Sequence, residues 1–360
     1  MSGPRHTEII AEAGVNHNGS LDRALEMVDV AAEAGADTIK FQTFRSEHLV
    51  TRAAPKARYQ RQTTDGDDTQ FEMLRRLELD DSMHRALLAR CRERSIKFLS
   101  TPFDPRSLRY LAEDLGLPVL KISSGDLTNP MVLLEAGRSG RQVILSTGMA
   151  TLAEVEAALA VLAFGYTAGR EPPSTAAFEA AWVKPEGRAA VTRNVVVLHC
   201  TTEYPAPFED VNLRAMATIA EAFDLRAGYS DHTNGIAVPI AAAALGAAVI
   251  EKHFTLDRGL PGPDHAASLE PDELNHMVRA IREVELALGA KEKAPAASEL
   301  HNIAVARKSL TAAAEIAAGA PFTERNLTVK RPGTGASPMR YWDLLGRASD
   351  RAYKTDETIE

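Results

Sequence analysis

Cysteine is nearly absent from this sequence: its 360 residues include only Cys91 and Cys200, far apart along the chain. So few thiols supply no disulfide framework and suit a reducing compartment, so both are read as free core thiols. Long apolar runs are missing too. The longest, Ile236 to Ile250, is broken by Pro239 and Gly246, and at about fifteen residues it falls short of the roughly 20 that span a bilayer. The opening MSGPRHTEIIAE lacks the apolar segment and small-residue cleavage site of a secretory leader. The expectation is a cytoplasmic protein with no membrane partner. Positive charge is in deficit, with 41 Lys and Arg against 49 Asp and Glu and a net charge of -8. That field repels nucleic acid, so any anionic substrate has to be held by a local cluster of cations. Neither the G-x-G-x-x-G of a dinucleotide fold nor the G-x-S-x-G of a serine nucleophile elbow occurs.

What is present is an alternation. Short apolar runs recur between longer amphipathic stretches from residue 7 to about 285, the pattern of β/α units around a parallel sheet. The strands read as Glu8–Glu12, Thr38–Gln42, Lys97–Thr101, Val119–Ser123, Val143–Ser146, Val195–His199, Ala227–Asp231 and Val249–His253. Eight of them predict a TIM (β/α)8 barrel of α/β class over residues 1–290. Ser20 is a helix cap, Leu25, Val28 and Ala32 share the next helix face, and Gly35 ends it. Two stretches break the rhythm and read as long loops: Arg45 to Glu78, on the face where barrel enzymes carry chemistry, and Gly165 to Arg193, on the opposite face. An Ala/Pro/Lys-rich linker, 291–302, leads into a small second domain, 303–360, in which Arg331 sits in a Pro-Gly turn.

Polar residues end nearly every predicted strand, where such barrels assemble their sites. Glu12, Lys40, Gln42, Thr101, Lys121, Ser124, Ser146, His199, Ser230, His232 and His253 are expected to converge on one mouth. His232 in YSDHT and His253 in EKHFT end adjacent strands, beside Asp231 and Asp264, and could place two imidazoles on one divalent cation. Oxygen-rich coordination without cysteine suits Mn2+ or Mg2+ rather than structural zinc, with Co2+ as a further option. Lys40 and Lys121 with the hydroxyls of Thr101, Ser124 and Ser146 match a small polyanion bearing a phosphate and a carboxylate. A Schiff-base role is the competing reading of Lys121. Glu12 lies within an apolar segment, where burial would raise its pKa into the range of acid–base catalysis.

At these residues the sequence resembles the bacterial N-acetylneuraminate (sialic acid) synthase family, including the related N,N'-diacetyllegionaminate synthases. The runs that carry the resemblance are IIAEAGVNHNGS, IKFQTF, FLSTPFD, KISSGD, ILSTGM, LHCTTEYPAPFEDVNL, GYSDHT, VIEKHFTLD and GPDHAASLEPDEL, in that order. The tail from ARKSL to VKRPGTGASP looks like the family's antifreeze-like SAF domain, a β-clip fold. The resemblance implies condensation of phosphoenolpyruvate with an N-acylated mannosamine-type sugar to give a nine-carbon 2-keto acid and phosphate. It implies Glu12 as acid/base, His232 and His253 as Mn2+ ligands, and Lys40, Thr101, Lys121, Ser124, Ser146 and Ser230 as the phosphoenolpyruvate site. Gln42, Tyr204 and Asp264 would contact the sugar, and Arg331 would reach it from the second subunit of a domain-swapped homodimer.

Two departures from the family pattern stand out, of which the second bears on substrate. The stretch from Gly165 to Arg193 is an insertion relative to the family pattern. Thr201-Thr202 stands where many sialic acid synthases carry an asparagine, and legionaminic acid synthases share the threonine pair. The main expectation is N-acetylneuraminate synthase using N-acetylmannosamine. The alternative is N,N'-diacetyllegionaminate synthase using 2,4-diacetamido-2,4,6-trideoxymannose, with pseudaminate synthase a less close match. Outside this chemistry stand a Schiff-base aldolase, a metal-dependent hydrolase, for which Asn16-His17-Asn18 offers one histidine rather than the usual H-x-H, and a sugar-binding protein without turnover.

Overall fold

The computed structural model describes residues 6–64, 68–169 and 171–360, which divide into two compact units, Met1–Gly289 and Ala290–Glu360. The first holds eight parallel strands: β1 (Glu8–Gly14), β2 (Thr38–Thr43), β3 (Lys97–Pro102), β4 (Val119–Ile122), β5 (Gln142–Ser146), β6 (Val195–Cys200), β7 (Arg226–Asp231) and β8 (Val249–His253). They run in the order β3-β2-β1-β8-β7-β6-β5-β4. Because β1 pairs with both β2 and β8, the sheet curls into a near-closed barrel. Among the described residues, only the seam between β3 and β4 lacks a ladder.

The two-residue period of a strand decides what each side chain meets. Ile9, Ala11, Ile39, Phe41, Tyr229 and Ile250 face outward into one helix-packed cluster, and Leu120, Leu145, Val195 and Val197 into another. Residues of the opposite parity, Ile10, Leu99, Ile144, Val196, Leu198 and Val249, fill the lower interior of the barrel. Two positions further along the strands that interior turns polar, with Glu12, Thr101, Ser146 and Glu251 standing above Ile10, Leu99, Ile144 and Val249. The same parity that packs the floor therefore aims the polar layer at the C-terminal mouth.

The first helix shows how local sequence sets the surrounding layer. Ser20 Oγ accepts from Arg23 N at 3.3 Å, capping Leu21–Glu33, and Gly35 follows at φ +79°. Its buried face is Ala24, Met27, Val28 and Ala31, so of the predicted Leu25, Val28 and Ala32 only Val28 lies at its centre. Leu25 and Ala32 are only partly buried at the edge of that stripe, because the i, i+3, i+4, i+7 set that faces the core starts at Ala24, one residue before Leu25.

Both predicted loops contain helices; residues 65–67 and 170 of those stretches lie outside the described residues. The excursion after β2 forms Ser46–Leu49, Arg58–Thr63 and Gln70–Arg75. Thr69 and Glu72 cap the last of these reciprocally: Thr69 Oγ1 accepts from Glu72 N and Glu72 Oε2 from Thr69 N. A small apolar core of Val15, Phe44, Met73, Leu74 and Leu77 holds the excursion down. The stretch before β6 forms the end of helix Leu152–Thr167, then Thr175–Val183 and Pro185–Asn194. Trp182 Nε1 donates to Glu156 at 3.0 Å, tying the inserted helices to Leu152–Thr167. Ser174 caps the first of these helices and Pro185 opens the second, but their faces carry too little apolar contrast to register as a period.

In the second unit, β9 (Ser309–Ala312) and β10 (Leu327–Lys330) pair antiparallel, and isolated bridges join Thr311 to Thr358 and Ile316 to Tyr353. Leu310, Ile316, Phe322, Leu327, Tyr353 and Ile359 form its buried core. The end of the predicted linker is ordered as a 3-10 turn, Ala297–Glu299, running into helix Leu300–Ala306. No helix among the described residues is long and apolar enough to cross a membrane.

Candidate active site

A cavity of about 390 Å³ opens at the C-terminal mouth of the barrel. Lining it are Glu12, Lys40, Gln42, Thr101, Lys121, Ser124, Ser146, Tyr204, Ser230, His232, His253 and Asp264. These are the barrel residues singled out from sequence, apart from His199 and Asp231. Arg331 belongs to the second unit, where its side chain is exposed and Nε donates to the Ala306 carbonyl at 3.0 Å.

At the cavity floor, four buried ionisable groups interlock. Lys40 Nζ lies 3.1 Å from Glu12 Oε1 and 3.4 Å from Glu251 Oε2, and donates to Thr101 Oγ1 at 3.0 Å. Lys121 Nζ donates to Ser146 Oγ at 2.7 Å and stands 3.6 Å from Glu251 Oε1. Ser230 Oγ donates to the same Glu251 oxygen at 2.9 Å. Burial pushes the Glu12 carboxyl up to about 8, against the opposing pull of Lys40. Burial disfavours the Glu251 charge as well, but Lys121, Lys40 and the Ser230 hydroxyl outweigh it and hold that carboxyl at about 2. Burial pushes the Lys121 ammonium below its usual range, against the pull of Glu251, so the floor combines lysine and hydroxyl donors around the Glu251 carboxylate inside an acidic protein. Ser124 Oγ accepts from Gly148 N at 2.9 Å and lies 3.1 Å from Cys200 Sγ, adding a hydroxyl on the β4 side.

Beside this floor sit the two histidines, with ring centroids 5.5 Å apart. Tyr204 stacks over His232 at 4.2 Å and meets His253 edge-on at 5.6 Å. Burial keeps both imidazoles below their usual pKa, and His232 beside it lowers His253 further. They are therefore neutral, as metal ligands must be. His232 Nδ1 donates to the Thr201 carbonyl at 2.6 Å, which orients the ring and leaves Nε2 as its lone-pair nitrogen. His253 Nδ1 is buried with no hydrogen-bond partner among the described residues, as is Glu12 Oε2. Asp264 Oδ2 is 3.9 Å from that orphaned nitrogen, and burial pushes its carboxyl up to about 6. Two neutral imidazoles, one orphaned nitrogen and a nearby carboxyl fit a divalent ion whose other positions come from water or substrate. Among the described residues, no three His, Cys, Asp or Glu side chains gather into a complete cage.

Gly14 explains how β1 meets the sugar-contact candidates. The β1–β2 register shifts between Glu12 and Gly14, and Gly14 takes φ +54°. A Cβ there would lie 3.3 Å from Glu12 Oε1, 3.4 Å from Gln42 Nε2 and 3.5 Å from Asp264 Oδ2. Three polar groups from three elements thus share the space that glycine leaves.

Two residues expected near the mouth lie elsewhere, both for reasons of parity. His199 follows the inward-facing Leu198 and so points out of the barrel, donating from Nε2 to the Val211 carbonyl at 2.7 Å and leaning on Tyr229. Asp231, between Ser230 and His232, also faces outward and pairs with Lys252 at 2.5 Å, both fully buried. Conversely, Glu251 was not anticipated. Its signal was present, since it precedes His253 by two residues on the same strand and so shares its face. Most of the apolar side of the cavity, Leu49, Val50, Met73 and Leu74 beside Val15 and Phe103, was hidden in a stretch that reads as a loop.

Residues 27–293 match the NeuB family. The chain belongs to that family. It is 46% identical to an N,N'-diacetyllegionaminic acid synthase from Campylobacter jejuni, covering 99% of both chains. A second N,N'-diacetyllegionaminic acid synthase, from Legionella pneumophila, is 43% identical over 94% of this chain and 89% of its own. Among solved structures, the N-acetylneuraminic acid synthetase of Leptospira borgpetersenii in complex with citrate matches with a TM-score of 0.68 and 34% identity, over 84% of this chain and 91% of the other. The chain is thus a synthase of the sialic and legionaminic acid type, and the similarities favour the legionaminic alternative over the main sequence-based expectation.

Proposed function

We propose that this protein is an N,N'-diacetyllegionaminate synthase, joining phosphoenolpyruvate to 2,4-diacetamido-2,4,6-trideoxymannose with release of phosphate. The observation that carries the choice of sugar is identity of 46% and 43% to two synthases of that name. The Thr201-Thr202 pair agrees with it. N-acetylneuraminate synthase is the second reading, favoured by the 34% identity to the Leptospira enzyme.

Phosphoenolpyruvate binds with its phosphate and carboxylate against Lys40, Lys121 and the hydroxyls of Thr101, Ser124, Ser146 and Ser230, where charge-assisted hydrogen bonds are strong. The open-chain sugar places its aldehyde beside His232, His253 and Glu12, with Gln42, Tyr204 and Asp264 along its length. His232 and His253 would hold a divalent ion, Mn2+ with Mg2+ or Co2+ as alternatives, which would supply Lewis-acid polarisation of the aldehyde oxygen. The enol carbon forms the new bond to the aldehyde carbon, water adds at the former enol-ether carbon, and the C–O bond to phosphate breaks. Glu12, protonated near neutral pH, can give its proton to the oxygen that was the aldehyde and take one from the attacking water. Residues 303–360 form a SAF domain, and Arg331 serves the sugar of a partner subunit in a domain-swapped homodimer.

Phosphate release tests the reading, with phosphoenolpyruvate and either sugar in parallel, after chelation and after adding back Mn2+. The diacetamido sugar is expected to give the higher kcat/KM, and only with metal. Equal or better turnover of N-acetylmannosamine overturns the choice of sugar, and full activity in chelator overturns the metal.

A further inference from the structure

We infer that the apolar wall built by the excursion after β2 selects the sugar at C6, accepting a methyl group and rejecting a hydroxymethyl. This inference rests on the proposed reaction at the same cavity. The floor of that cavity is ionic and hydroxylic throughout, whereas one side is apolar: Leu49, Val50, Met73 and Leu74 come from two excursion helices and their ends. Met73 and Leu74 are 3% and 9% exposed, fixed by their own small core with Phe44 and Leu77. The wall is therefore a rigid apolar surface rather than a mobile flap that could offer water instead.

Its position follows from chain order. The excursion begins directly after β2, whose inward Gln42 shares the Gly14 space with Glu12 and Asp264. A sugar whose C1 lies at Glu12 and the histidines and which passes Gln42 extends its far carbons toward the residues that follow Gln42 in the chain. Those carbons are C4 to C6. A methyl at C6 is sheltered on the wall, while a hydroxyl at the same carbon loses its water and finds no hydrogen-bond partner on the aliphatic side chains to replace it. Gln60 and Gln70, which also line the cavity and are joined by a 3.3 Å hydrogen bond, place amide groups next to the wall. They suit an acetamido group at C4 and do nothing for a hydroxymethyl on leucine and valine. An added hydroxyl is discriminated by about 10- to 100-fold in an apolar pocket.

Four sugars separate the two claims: N-acetylmannosamine, 2-acetamido-2,6-dideoxymannose, 2,4-diacetamido-2,4-dideoxymannose and 2,4-diacetamido-2,4,6-trideoxymannose. They vary C4 and C6 independently. With the full-length enzyme, phosphoenolpyruvate and Mn2+, the 6-deoxy member of each pair is expected to have a kcat/KM about 10- to 100-fold higher. Val50→Thr and Leu49→Gln, at half-buried positions, are expected to shrink that ratio several-fold with the KM for phosphoenolpyruvate unchanged. Ratios near one in the wild type, or an undiminished ratio in both folded variants, overturn the wall. A preference for a C4 hydroxyl over acetamido overturns the legionaminic reading alone, because the C6 comparison is made at each C4 group separately.

Discussion

The barrel buries ions in two places, and they are built in opposite ways. On the outside of β7 and β8, Lys252 and Asp231 pair at 2.5 Å with neither side chain exposed. Thr233 adds bonds to both, its hydroxyl to Asp231 and its carbonyl to Lys252. On the inside of the same two strands, Glu251 and His253 belong to a cluster that leaves Glu12 Oε2 and His253 Nδ1 buried and unpartnered. The outer pair is saturated, so removing one member strands a charge. The inner cluster is incomplete, which is costly for folding but leaves directed lone pairs for a ligand. Between these two ionic clusters, unmet hydrogen-bonding capacity rather than buried charge as such marks the one that faces the cavity.

Glu12→Gln breaks the comparison on the catalytic side and carries the largest expected effect. Loss of acid–base chemistry lowers kcat by about 100- to 10,000-fold. The fold should not suffer, since burial holds this carboxyl up to about 8 and a neutral amide avoids the cost of ionising it. Turnover at saturating substrates, read beside a thermal melt, checks both halves. Unchanged kcat would demote Glu12 to a partner of Lys40.

Lys252→Met breaks it on the structural side. Stranding a buried charge typically costs about 3–5 kcal/mol, so a denaturant titration should show a loss of that order, and Asp231→Asn in the same chain should restore part of it. At a temperature where the single variant is still folded, its kcat should remain within about tenfold of wild type, far from the loss typical of a missing acid–base group. A stability change under about 1 kcal/mol would place the pair among weak, screened ion pairs.

How far this division could be read from sequence depends on phase. Short apolar runs between amphipathic stretches located the eight strands within two residues at each end, and polar residues at strand ends marked the mouth. Yet alternation says which residues share a face, not which face looks inward. His199 and Asp231 were misplaced for that reason, each sitting one position from an inward neighbour, and Glu251 was overlooked though it lies in phase with His253. Once Ile10, Ile144 and Val249 are seen as barrel filling, Glu12, Ser146 and Glu251 follow by counting two. The excursion after β2 was opaque for another reason. Its helices have four to six residues, shorter than two full helical turns, so their apolar contacts come from tertiary packing and leave no period to find.

The smallest expected effect sharpens the same contrast through pH. Burial raises Asp264 from 3.8 to about 6. Below the unfolded value both states hold the proton and the folded state bears no penalty. As pH rises from about 4 to about 6 the unfolded chain gives up its proton first, so stability is lost across that window and stays lost above it. A shift of this size corresponds to about 1–3 kcal/mol. Asp264→Asn removes the titration, so its unfolding free energy should be flatter than wild type between pH 4 and 6 and higher at pH 7 by that amount. Denaturant midpoints in chelator, without substrate, measure this free of ligand binding. Parallel curves for the two proteins would mean that Asp264 is solvated like a surface carboxylate, and that the incomplete inner cluster ends at His253. Divergence confined to that window would extend the strained, ligand-ready layer to the loop after β8.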